Sequence, residues 1–514
     1  MEIFRLIKIK RATNSKEIVY SPNKYRKTEG IKDSFSINHT TPYAAISLQE
    51  LNLAYHYPIV YWNTACLSIN AGADESVEDN KSTNYGKVGV AISRMQDRGI
   101  NVALPLINES KFDFYPDEKN NRIIYALKAM NGIGDDVARA IVENRPYTSI
   151  EDFCEKMIDT KLVTTAQMIK LIKGGCFTEL HNKDRKLTMD WFLRTYVFSP
   201  CKGLTMSQFT KMQEMNIIPE SLELAIKMVN FKKYVLDDSN LHTKHIEKGK
   251  KMVKRGYHDG YYTLDKNSQP FFANHFTEKS VVGLNKEFYL VSEKLFTKEV
   301  DNYIQPLKDW FAQVDTLKLY NDTMYGELWN KYASGNVSHW SMEALTYYDD
   351  KHELSGVDNK LYGITNFFEL PEEPESYDYY TRYIGGEAKA MPKFKISRIA
   401  GVVLDNNSAH HSISLLTPNG VVTAKFSKGQ FAFYNKQISA QLDESSDKKT
   451  VLEKSWFGRG SLLCLHGIRR GDVFQPLVYS DTIYKHTVNL IKEVYEDGTM
   501  LMQTERVKIN GNEE

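Results

Sequence analysis

The amino-acid sequence predicts a multidomain α+β protein that is mostly helical over residues 1–368 and ends in a small β-barrel. Three observations support this fold class. The chain of 514 residues is longer than one hydrophobic core normally spans, so roughly two to four domains are expected. Up to residue 368 most apolar residues recur at helical spacing. After Pro392 the pattern changes to short alternating runs separated by glycine turns, which is typical of a small barrel.

Composition and charge narrow the class of protein. The formal net charge is +1, so any nucleic-acid surface must be a local patch. The five cysteines are scattered without a Cys-x-x-Cys pair, which argues against a disulfide framework and a structural zinc site. No apolar run reaches the roughly 18 residues that span a bilayer, and residues 1–10 lack a signal-peptide pattern. We therefore expect a cytoplasmic protein without a membrane partner.

Residues 1–82 combine a basic arm with a helical segment. Eight Lys or Arg and three Glu lie within residues 1–29, which fits either a solvated arm or a segment that contacts phosphates. Residues 42–71 carry aromatic and aliphatic side chains at helical spacing. The polar, acidic stretch 72–82 is typical of a loop and separates this region from the next.

The next predicted domain, residues 83–185, begins with a helix over 88–96. Gly99 is predicted to end this helix, and a short strand is predicted over 102–106. A second helix start, farther along the domain, contains the predicted phosphate-binding site.

Gly132 and Gly134 flank Ile133, and a new helix is predicted to start at Asp135. Glycines permit positive φ and close backbone approach in a tight turn, so Ile133 is predicted to be buried in the hairpin core. The unpaired N–H groups at the helix start then face outward, where they can bind a backbone phosphate. Such contacts position a protein on nucleic acid without selecting a base sequence.

The predicted DNA-contacting residues of this domain are the turn and the cations near it: Gly132, Ile133, Gly134, Lys128, Arg139 and Lys173. A Gly-x-Gly turn alone would more often serve only to pack two helices. The functional interpretation therefore depends on the longer pattern around the turn.

That longer pattern, residues 123–154, resembles the helix-hairpin-helix region of the alpha subunit of bacterial DNA polymerase III, the family C replicative polymerases. The family pattern is I-x-Y-G-L-x-A-I-K-G-V-G, then a helix, then R-x-[FY]-x-S-hydrophobic-x-D-F. Residues 161–177 resemble the segment that follows in the family, L-I-x-x-G-A-F. Asn131 replaces a Lys that is common in the family, which removes one charge beside the turn.

Residues 35–49 resemble the fingers motif of the same family, F-N-[KR]-S-H-x-x-x-Y-x-x-I-S-Y-Q. In the family this segment lies close to the incoming nucleotide and the template. The resemblance thus implies a nucleotide- or template-proximal role for His39, Tyr43 and Gln49. Ile37 stands where the motif has a basic residue, which removes one expected contact with the triphosphate.

Residues 186–368 are predicted to form a mostly helical central region. Its residues 186–330 match no family pattern and are a candidate insertion. Residues 342–354 resemble the family segment E-x-L-G-F-Y-x-S-G-H-P-L, which we interpret as structural. The acidic, proline-containing stretch 369–391 is predicted to be a linker.

Residues 392–492 resemble the oligonucleotide-binding barrel, or OB-fold, of the family, and residues 493–514 are predicted to be a tail. Such folds bind single strands by stacking bases on aromatic rings over a basic groove. The cations predicted to bind DNA here are Lys425, Lys428, Arg469 and Arg470. The aromatic residues nearby are interpreted as a mixture of core and stacking residues: Phe426, Phe431, Phe433 and Tyr434.

The sequence lacks the motif that would carry nucleotidyl transfer. The palm of the family has a P-D-x-D-x-D strand whose carboxylates hold two Mg²⁺ ions, and no Asp-x-Asp occurs in this sequence. The PHP domain of the family, with its metal-binding histidines, is not matched either. We therefore expect no catalytic residue, metal ligand or cofactor in this chain, and Mg²⁺ at the palm of a partner chain.

Two functions remain open from the sequence. The first is the C-terminal DNA-binding chain of a split replicative polymerase, which grips primer–template duplex and single strand while a palm-bearing partner transfers nucleotides. A sliding clamp is a further candidate partner, and the setting is bacterial or phage-infected cytoplasm. The second is a stand-alone DNA-binding accessory protein that derives from a polymerase and has no catalysis.

Overall fold

The computed structural model of the protein describes residues 58–72, 83–236, 261–284, 289–441, 450–477 and 487–507, and also residues 48, 52, 55, 56, 247–248, 251–252 and 257–258. The chain divides into two compact units. The first comprises Met1–Phe192 and Gly335–Glu514, and the second comprises Leu193–Ser334. Helices and strands occur in both units, which confirms the predicted α+β class. Within the described ranges, every helix is too short or too polar to cross a bilayer.

The first part of the first unit is mainly helical around a small sheet. Its helices are α1 Ile59–Ala71, α2 Tyr85–Gln96, α3 Asp135–Glu143, α4 Ile150–Met157, α5 Thr165–Lys173 and α6 Arg185–Phe192. Its strands are β1 Asn101–Ala103, β2 Tyr115–Asp117 and β3 Arg122–Ile124, in the order β1-β3-β2. β3 runs parallel to β1 and antiparallel to β2. The predicted helix over 88–96 and the strand near 102 are therefore present.

Local capping residues explain where these helices begin. The Asn84 side chain accepts a hydrogen bond from the Lys87 N–H, so α2 starts three residues before the predicted position. The Ser149 side chain caps α4 in the same way through the Asp152 N–H. Thr164 and Gln167 form a reciprocal capping box at the start of α5.

The second unit contains both helices and strands. Its helices are α7 Phe209–Glu214, α8 Glu223–Leu236, α9 Gln269–His275, α10 Glu293–Phe311 and α11 Val314–Ala333. Its strands are β4 Glu247–Lys248, β5 Lys251–Met252, β6 Tyr257–His258, β7 Tyr261–Leu264, β8 Val281–Leu284 and β9 Tyr289–Ser292. A four-stranded antiparallel sheet, ordered β6-β7-β9-β8, packs with α8 and α10 around Phe272, Phe276 and Phe296. The central region is thus less uniformly helical than predicted.

The first unit resumes with α12 Val337–Leu345 and α13 Asn359–Tyr362. An antiparallel hairpin follows, made of β10 Ser376–Ile384 and β11 Glu387–Phe394. This hairpin occupies most of residues 369–391, so the prediction of a linker there is wrong. Gly385 and Gly386 both have positive φ, +61° and +87°, and form the two-residue turn that joins the strands.

A five-stranded β-barrel closes the first unit. Its strands are β12 Ser397–Asn407, β13 Ser412–Thr417, β14 Gly420–Lys425, β17 Leu462–Arg470 and β18 Val473–Pro476. β12 pairs with β17, and β14 pairs in parallel with β18, so the sheet closes on itself. The helix α14 Lys428–Asn435 follows the third barrel strand. This arrangement confirms the predicted OB-type barrel.

Four further strands extend the barrel region. They are β15 Ile438–Ala440, β16 Thr450–Glu453, β19 Val488–Val494 and β20 Met500–Gln503. β15 pairs with β16, while β19 pairs with β17 and β20. Residues 493–514, predicted to be a tail, therefore contribute a strand to the sheet.

Candidate nucleic-acid interface

The turn over residues 131–134 has the geometry that the glycine pattern predicts. Ile133 is buried, with 2% of its surface exposed, and its N–H donates to the Met130 carbonyl at 3.2 Å. Gly132 has φ of +87°, a conformation that other residues adopt only with strain. The element before the turn is a single 3₁₀ turn, Leu127–Ala129, and the element after it is α3.

Gly134 serves a different purpose from Gly132. It is exposed and lies at the N-cap of α3 with φ of −80°, so its backbone conformation does not require glycine. A Cβ atom built at this position would meet no atom within 4 Å. No side chain caps the helix, so N–H groups of its first turn have no side-chain acceptor among the described residues. The backbone here is open to an approaching anion.

Two acidic residues modify the charge at this helix start. Asp135 and Asp136 occupy the first turn of α3 and would repel a phosphate. Lys128 lies within the turn region and forms an ion pair with Asp135. The Lys128 ammonium neutralises the charge of the Asp135 carboxylate. Because Lys128 is only 9% exposed, it is not available to solvent as a separate DNA contact.

Lys173, predicted to contact DNA, is directed into the protein. It is 6% exposed and donates to a Glu343 carboxylate oxygen at 2.5 Å. Burial lowers the pKa of Lys173, and the hydrogen bond with Glu343 opposes that effect. Burial alone would raise the pKa of Glu343, but the hydrogen bonds from Lys170 and Lys173 lower it below its ordinary value. Lys173 therefore has a structural role in this arrangement.

Lys170 also lies beside the turn, although it is not among the residues predicted from the sequence to contact DNA. Its Cγ lies 3.8 Å from the position that a Cβ at Gly132 would occupy. Its ammonium pairs with Glu343, which Lys173 also contacts. The spacing of Lys170 from Lys173, one helical turn of α5, was the available signal.

Asn131 and Arg139 fix the turn within the unit. The Asn131 N–H donates to the Ala344 carbonyl at 2.9 Å, and its side-chain amide donates to the Glu343 carbonyl at 3.0 Å. An amide at this position thus secures the turn to α12. The half-buried Arg139 guanidinium lies over the Phe112 ring at 4.5 Å from its centroid.

A cationic surface lies on the barrel. Lys425 ends β14, Lys428 begins α14, and Arg470 ends β17, and all three side chains are exposed. Lys425 and Arg470 line a cavity of about 460 Å³ together with Gln430 and Gln475. Lys425 and Arg470 therefore lie near each other, on two strands that are both neighbours of β18.

Arg469 differs from its neighbour Arg470. Its side chain is 10% exposed and hydrogen-bonds carbonyl oxygens of the segment before the hairpin: Phe367, Phe368 and Leu370, the last at 2.7 Å. The guanidinium donors are therefore used inside the protein, and the predicted DNA contact of Arg469 does not fit this geometry.

The aromatic residues near these cations are mostly core residues. Phe426, Phe431 and Tyr434 are buried at 5%, 3% and 1% exposure. Phe433 is 37% exposed and is the member of the set that a base can reach. Residues 428–435 form α14, in which every third or fourth side chain faces the core, and this spacing determines which rings are buried.

The residues predicted to lie near the nucleotide cannot be placed in the same way. His39, Tyr43 and Gln49 lie outside the described residues, as does the basic arm over 1–29. Their predicted roles remain predictions.

Comparison with known proteins adds independent information. Residues 99–187 match the family model of the helix-hairpin-helix motif. The chain is 42% identical over 481 residues to the probable DNA polymerase YorL of Bacillus subtilis (strain 168), a match covering 93% of this chain and 35% of that protein. The same values hold for the DNA-directed DNA polymerase of Bacillus phage SPbeta.

More distant relatives match a smaller part of the chain. The DNA polymerase III subunit alpha of Buchnera aphidicola subsp. Acyrthosiphon pisum (strain APS) is 29% identical over 155 residues, which covers 29% of this chain and 12% of that protein. Even for the two Bacillus relatives, the chain spans only 35% of the length of the relative. The similarity therefore concerns a part of those proteins.

Proposed function

Because this chain corresponds to the C-terminal part of polymerase III alpha-like DNA polymerases, we propose that it holds primer–template DNA while a palm-bearing partner chain performs nucleotidyl transfer. The observation that carries this proposal is the exposed, uncapped start of α3 at Gly134, within the segment that matches the helix-hairpin-helix model. Helix starts of this kind bind phosphate through backbone N–H groups.

The proposed roles of the two sites follow from the open helix start at Gly134 and from the cationic end of the barrel. The turn over 131–134 contacts one strand of the duplex backbone, with Lys128 offsetting the charge of Asp135. The barrel end with Lys425, Lys428 and Arg470 attracts the single-stranded template. Carboxylates of the partner's palm would hold Mg²⁺, which would supply the activation of the primer hydroxyl. The residues of this chain bind and orient DNA and take no part in the bond exchange.

Substituting Gly134 by Thr tests the duplex contact without damaging the fold. Thr is tolerated at an N-cap about as well as Gly, and a Cβ atom at this position meets no atom within 4 Å. Its hydroxyl would accept a hydrogen bond from a first-turn N–H, and its methyl group would block approach of a phosphate. We expect unchanged thermal stability and roughly tenfold weaker duplex binding, since a charge-assisted hydrogen bond contributes about 1.5–3 kcal/mol.

A matched control is Gly356→Thr, since Gly356 is also exposed and a Cβ there meets no atom within 4 Å. Binding is measured by fluorescence anisotropy with duplexes of several sequences, and every duplex should be affected to a similar degree. Equal affinity of Gly134→Thr and Gly356→Thr for duplex would contradict the proposal.

The partner is tested by reconstitution. We expect a primer-extension assay to show synthesis when this chain is mixed with a chain that carries a Pro-Asp-x-Asp-x-Asp palm, and none with either chain alone. Replacing the palm aspartates by Asn should abolish the synthesis. DNA binding without any restored extension, across the available palm-bearing chains, would instead favour the stand-alone accessory function.

A further inference from the structure

The hairpin β10–β11 exposes an unusual number of aromatic rings. Tyr377, Tyr379 and Tyr383 are 72%, 62% and 75% exposed, and Tyr380 is 44% exposed. Large aromatic side chains normally contribute to stability by burial, and these four are largely in solvent. Exposed aromatic residues grouped on one element indicate a binding surface.

The register of the hairpin sorts these rings onto two faces. Tyr379 pairs with Pro392, Thr381 with Ala390, and Tyr383 with Ala388. Residues paired in this way point to the same face, so two tyrosine rings share a face with small side chains. The small residues leave space beside each ring, which a flat ligand such as a nucleobase can fill.

The opposite face carries two cations that oppose each other directly. Arg382 pairs with Lys389 across the hairpin. Like charges at directly opposed positions destabilise a strand pair. Among the described residues, neither side chain forms a salt bridge, whereas the neighbouring Lys393 pairs with Asp378 at 2.7 Å. Glu387 lies on the same face at the next paired position, and among the described residues it forms no salt bridge with either cation. A polyanion beside Arg382 and Lys389 would reduce the repulsion between them.

The base of the hairpin joins the cationic end of the barrel. The Arg470 guanidinium lies over the Phe394 ring at 5.3 Å from its centroid. The Gly471 N–H donates to the Glu372 carbonyl at 2.8 Å, and the Lys395 N–H donates to the Glu375 carbonyl at 2.8 Å. An isolated two-stranded hairpin is marginally stable, so these contacts fix where it begins. A strand bound along Lys425 and Arg470 would continue onto the hairpin.

Protection against aggregation explains only part of this composition. Lysines and a proline on exposed strands prevent edge-to-edge pairing, which accounts for Lys389, Pro392 and Lys393. Exposed tyrosines have the opposite effect, because they favour association. The exposed tyrosines therefore indicate a ligand, and the cations on the opposite face of the hairpin favour a ligand with negative charge.

We propose that the hairpin β10–β11 is a binding ribbon for single-stranded nucleic acid, which wraps around the narrow hairpin so that Tyr379 and Tyr383 stack on bases at one face while Arg382 and Lys389 contact phosphates at the other. This inference rests on the proposed DNA-binding function and adds a site to it. Stacking on aromatic rings tolerates any base, so the ribbon binds without sequence preference. It extends the path of the template beyond the barrel.

The test uses the full chain, a fluorescent oligothymidine single strand and a duplex. Tyr379→Ser combined with Tyr383→Ser should weaken single-strand binding at least tenfold, since a base–aromatic stack contributes on the order of a five- to hundredfold change in affinity. Arg382→Gln combined with Lys389→Gln should reduce the slope of log K against log salt by about 1.4. Duplex affinity should be unchanged in both double variants.

The matched control is Tyr495→Ser, because Tyr495 is 42% exposed in the same unit but lies outside the hairpin. Photocrosslinking of a 5-iodouracil strand should label Tyr379 or Tyr383. If the hairpin variants bind single strands as tightly as the unmodified chain, the ribbon is refuted while the proposed function stands. If the unmodified chain binds neither DNA, both are refuted. Variants that change only the self-association of the chain, measured by sedimentation, would identify a protein interface and overturn the ribbon.

Discussion

At the scale of single residues, identical side chains in one motif have different physical reasons to be present. Gly132 is required by its backbone, because φ of +87° strains any other residue. Gly134 has an ordinary φ, and what distinguishes it is the open space around its Cα. Only a substitution at Gly134 can therefore separate ligand binding from folding.

The cations predicted to bind DNA also fall into two groups, those that pair within the protein and those that face solvent. Lys128, Lys173 and Arg469 are largely buried and bind acceptors within the protein, whereas Arg470, Lys425 and Lys428 are exposed. A long basic side chain near a binding motif does not reveal from sequence whether its charge faces inward or outward. That distinction depends on which carboxylates and carbonyls the fold brings near it.

A pH-dependent contribution to stability is expected at His339. Its Nδ1 lies 3.3 Å from a Glu353 carboxylate oxygen, and this hydrogen bond raises the pKa of His339 against the opposing effect of burial. Because the folded-state pKa lies above the ordinary value of 6.5, the contribution is complete at lower pH. It is lost as the pH rises through the raised pKa.

The measurement is the free energy of unfolding of the unmodified chain and of His339→Gln at several pH values from about 5.5 to 8.5, a range that includes the ordinary histidine pKa. The difference between the two proteins should shrink as the pH increases. Glu353→Gln should remove the same pH-dependent component. A difference that stays constant over this range would show that the pair contributes nothing through ionisation.

At the scale of elements, local signals predicted several boundaries and missed others. The start of α3 after Gly134 and the helix near 88–96 follow from turn glycines and from apolar spacing. The hairpin β10–β11 had a comparable signal in Gly385-Gly386 between tyrosine-rich runs, but the acidic and proline content nearby suggested a linker. The acidic composition correctly indicated that this segment is exposed to solvent. The Gly385-Gly386 pair was the signal for a hairpin.

The helix α14 forms in a segment whose composition is also typical of a strand. Its sequence, Lys428–Asn435, lies among strands and contains three aromatic residues, which are common in strands. The capping box between Ser427 and Gln430 starts a helix there, and Phe431 and Tyr434 then pack on the barrel core. Two of the four aromatic residues considered for stacking, Phe431 and Tyr434, are core residues for this reason.

At the scale of the whole molecule, contacts far apart in sequence hold the first unit together. Arg185 is 5% exposed, donates to the Ser341 hydroxyl at 2.6 Å and pairs with Asp349. These contacts join α6 to the segment that resumes after residue 334. Residues 193–334 have their own core, so the first unit is formed by two separated stretches of chain.

A buried ion pair ties residues after β20 to the barrel region. Arg506 donates to Glu453 at 2.7 Å, and both side chains are about 5% exposed. Arg506 also donates to the carbonyls of Phe433 and Lys454. We expect Arg506→Met to lower the free energy of unfolding by about 3–5 kcal/mol, because it leaves a buried carboxylate unpaired. Chemical denaturation followed by circular dichroism measures this loss.

The double variant Arg506→Met with Glu453→Met is the control for that mechanism. It removes the uncompensated charge and should recover a substantial part of the lost stability. A double variant that is less stable than Arg506→Met alone would show that packing, and not the charge, accounts for the loss.

The sequence by itself determined the α+β class, the turn at Gly132–Gly134, the barrel after Pro392 and the relation to polymerase III alpha-like proteins. These features depend on local periodicity, on glycine conformations and on motifs of adjacent residues, and each of these signals lies within a short stretch of the sequence. Tertiary structure decided which cations face solvent, which aromatic rings are buried, and that the hairpin β10–β11 meets the barrel beside Arg470. Those outcomes depend on contacts between residues far apart in sequence, and no local pattern specifies them.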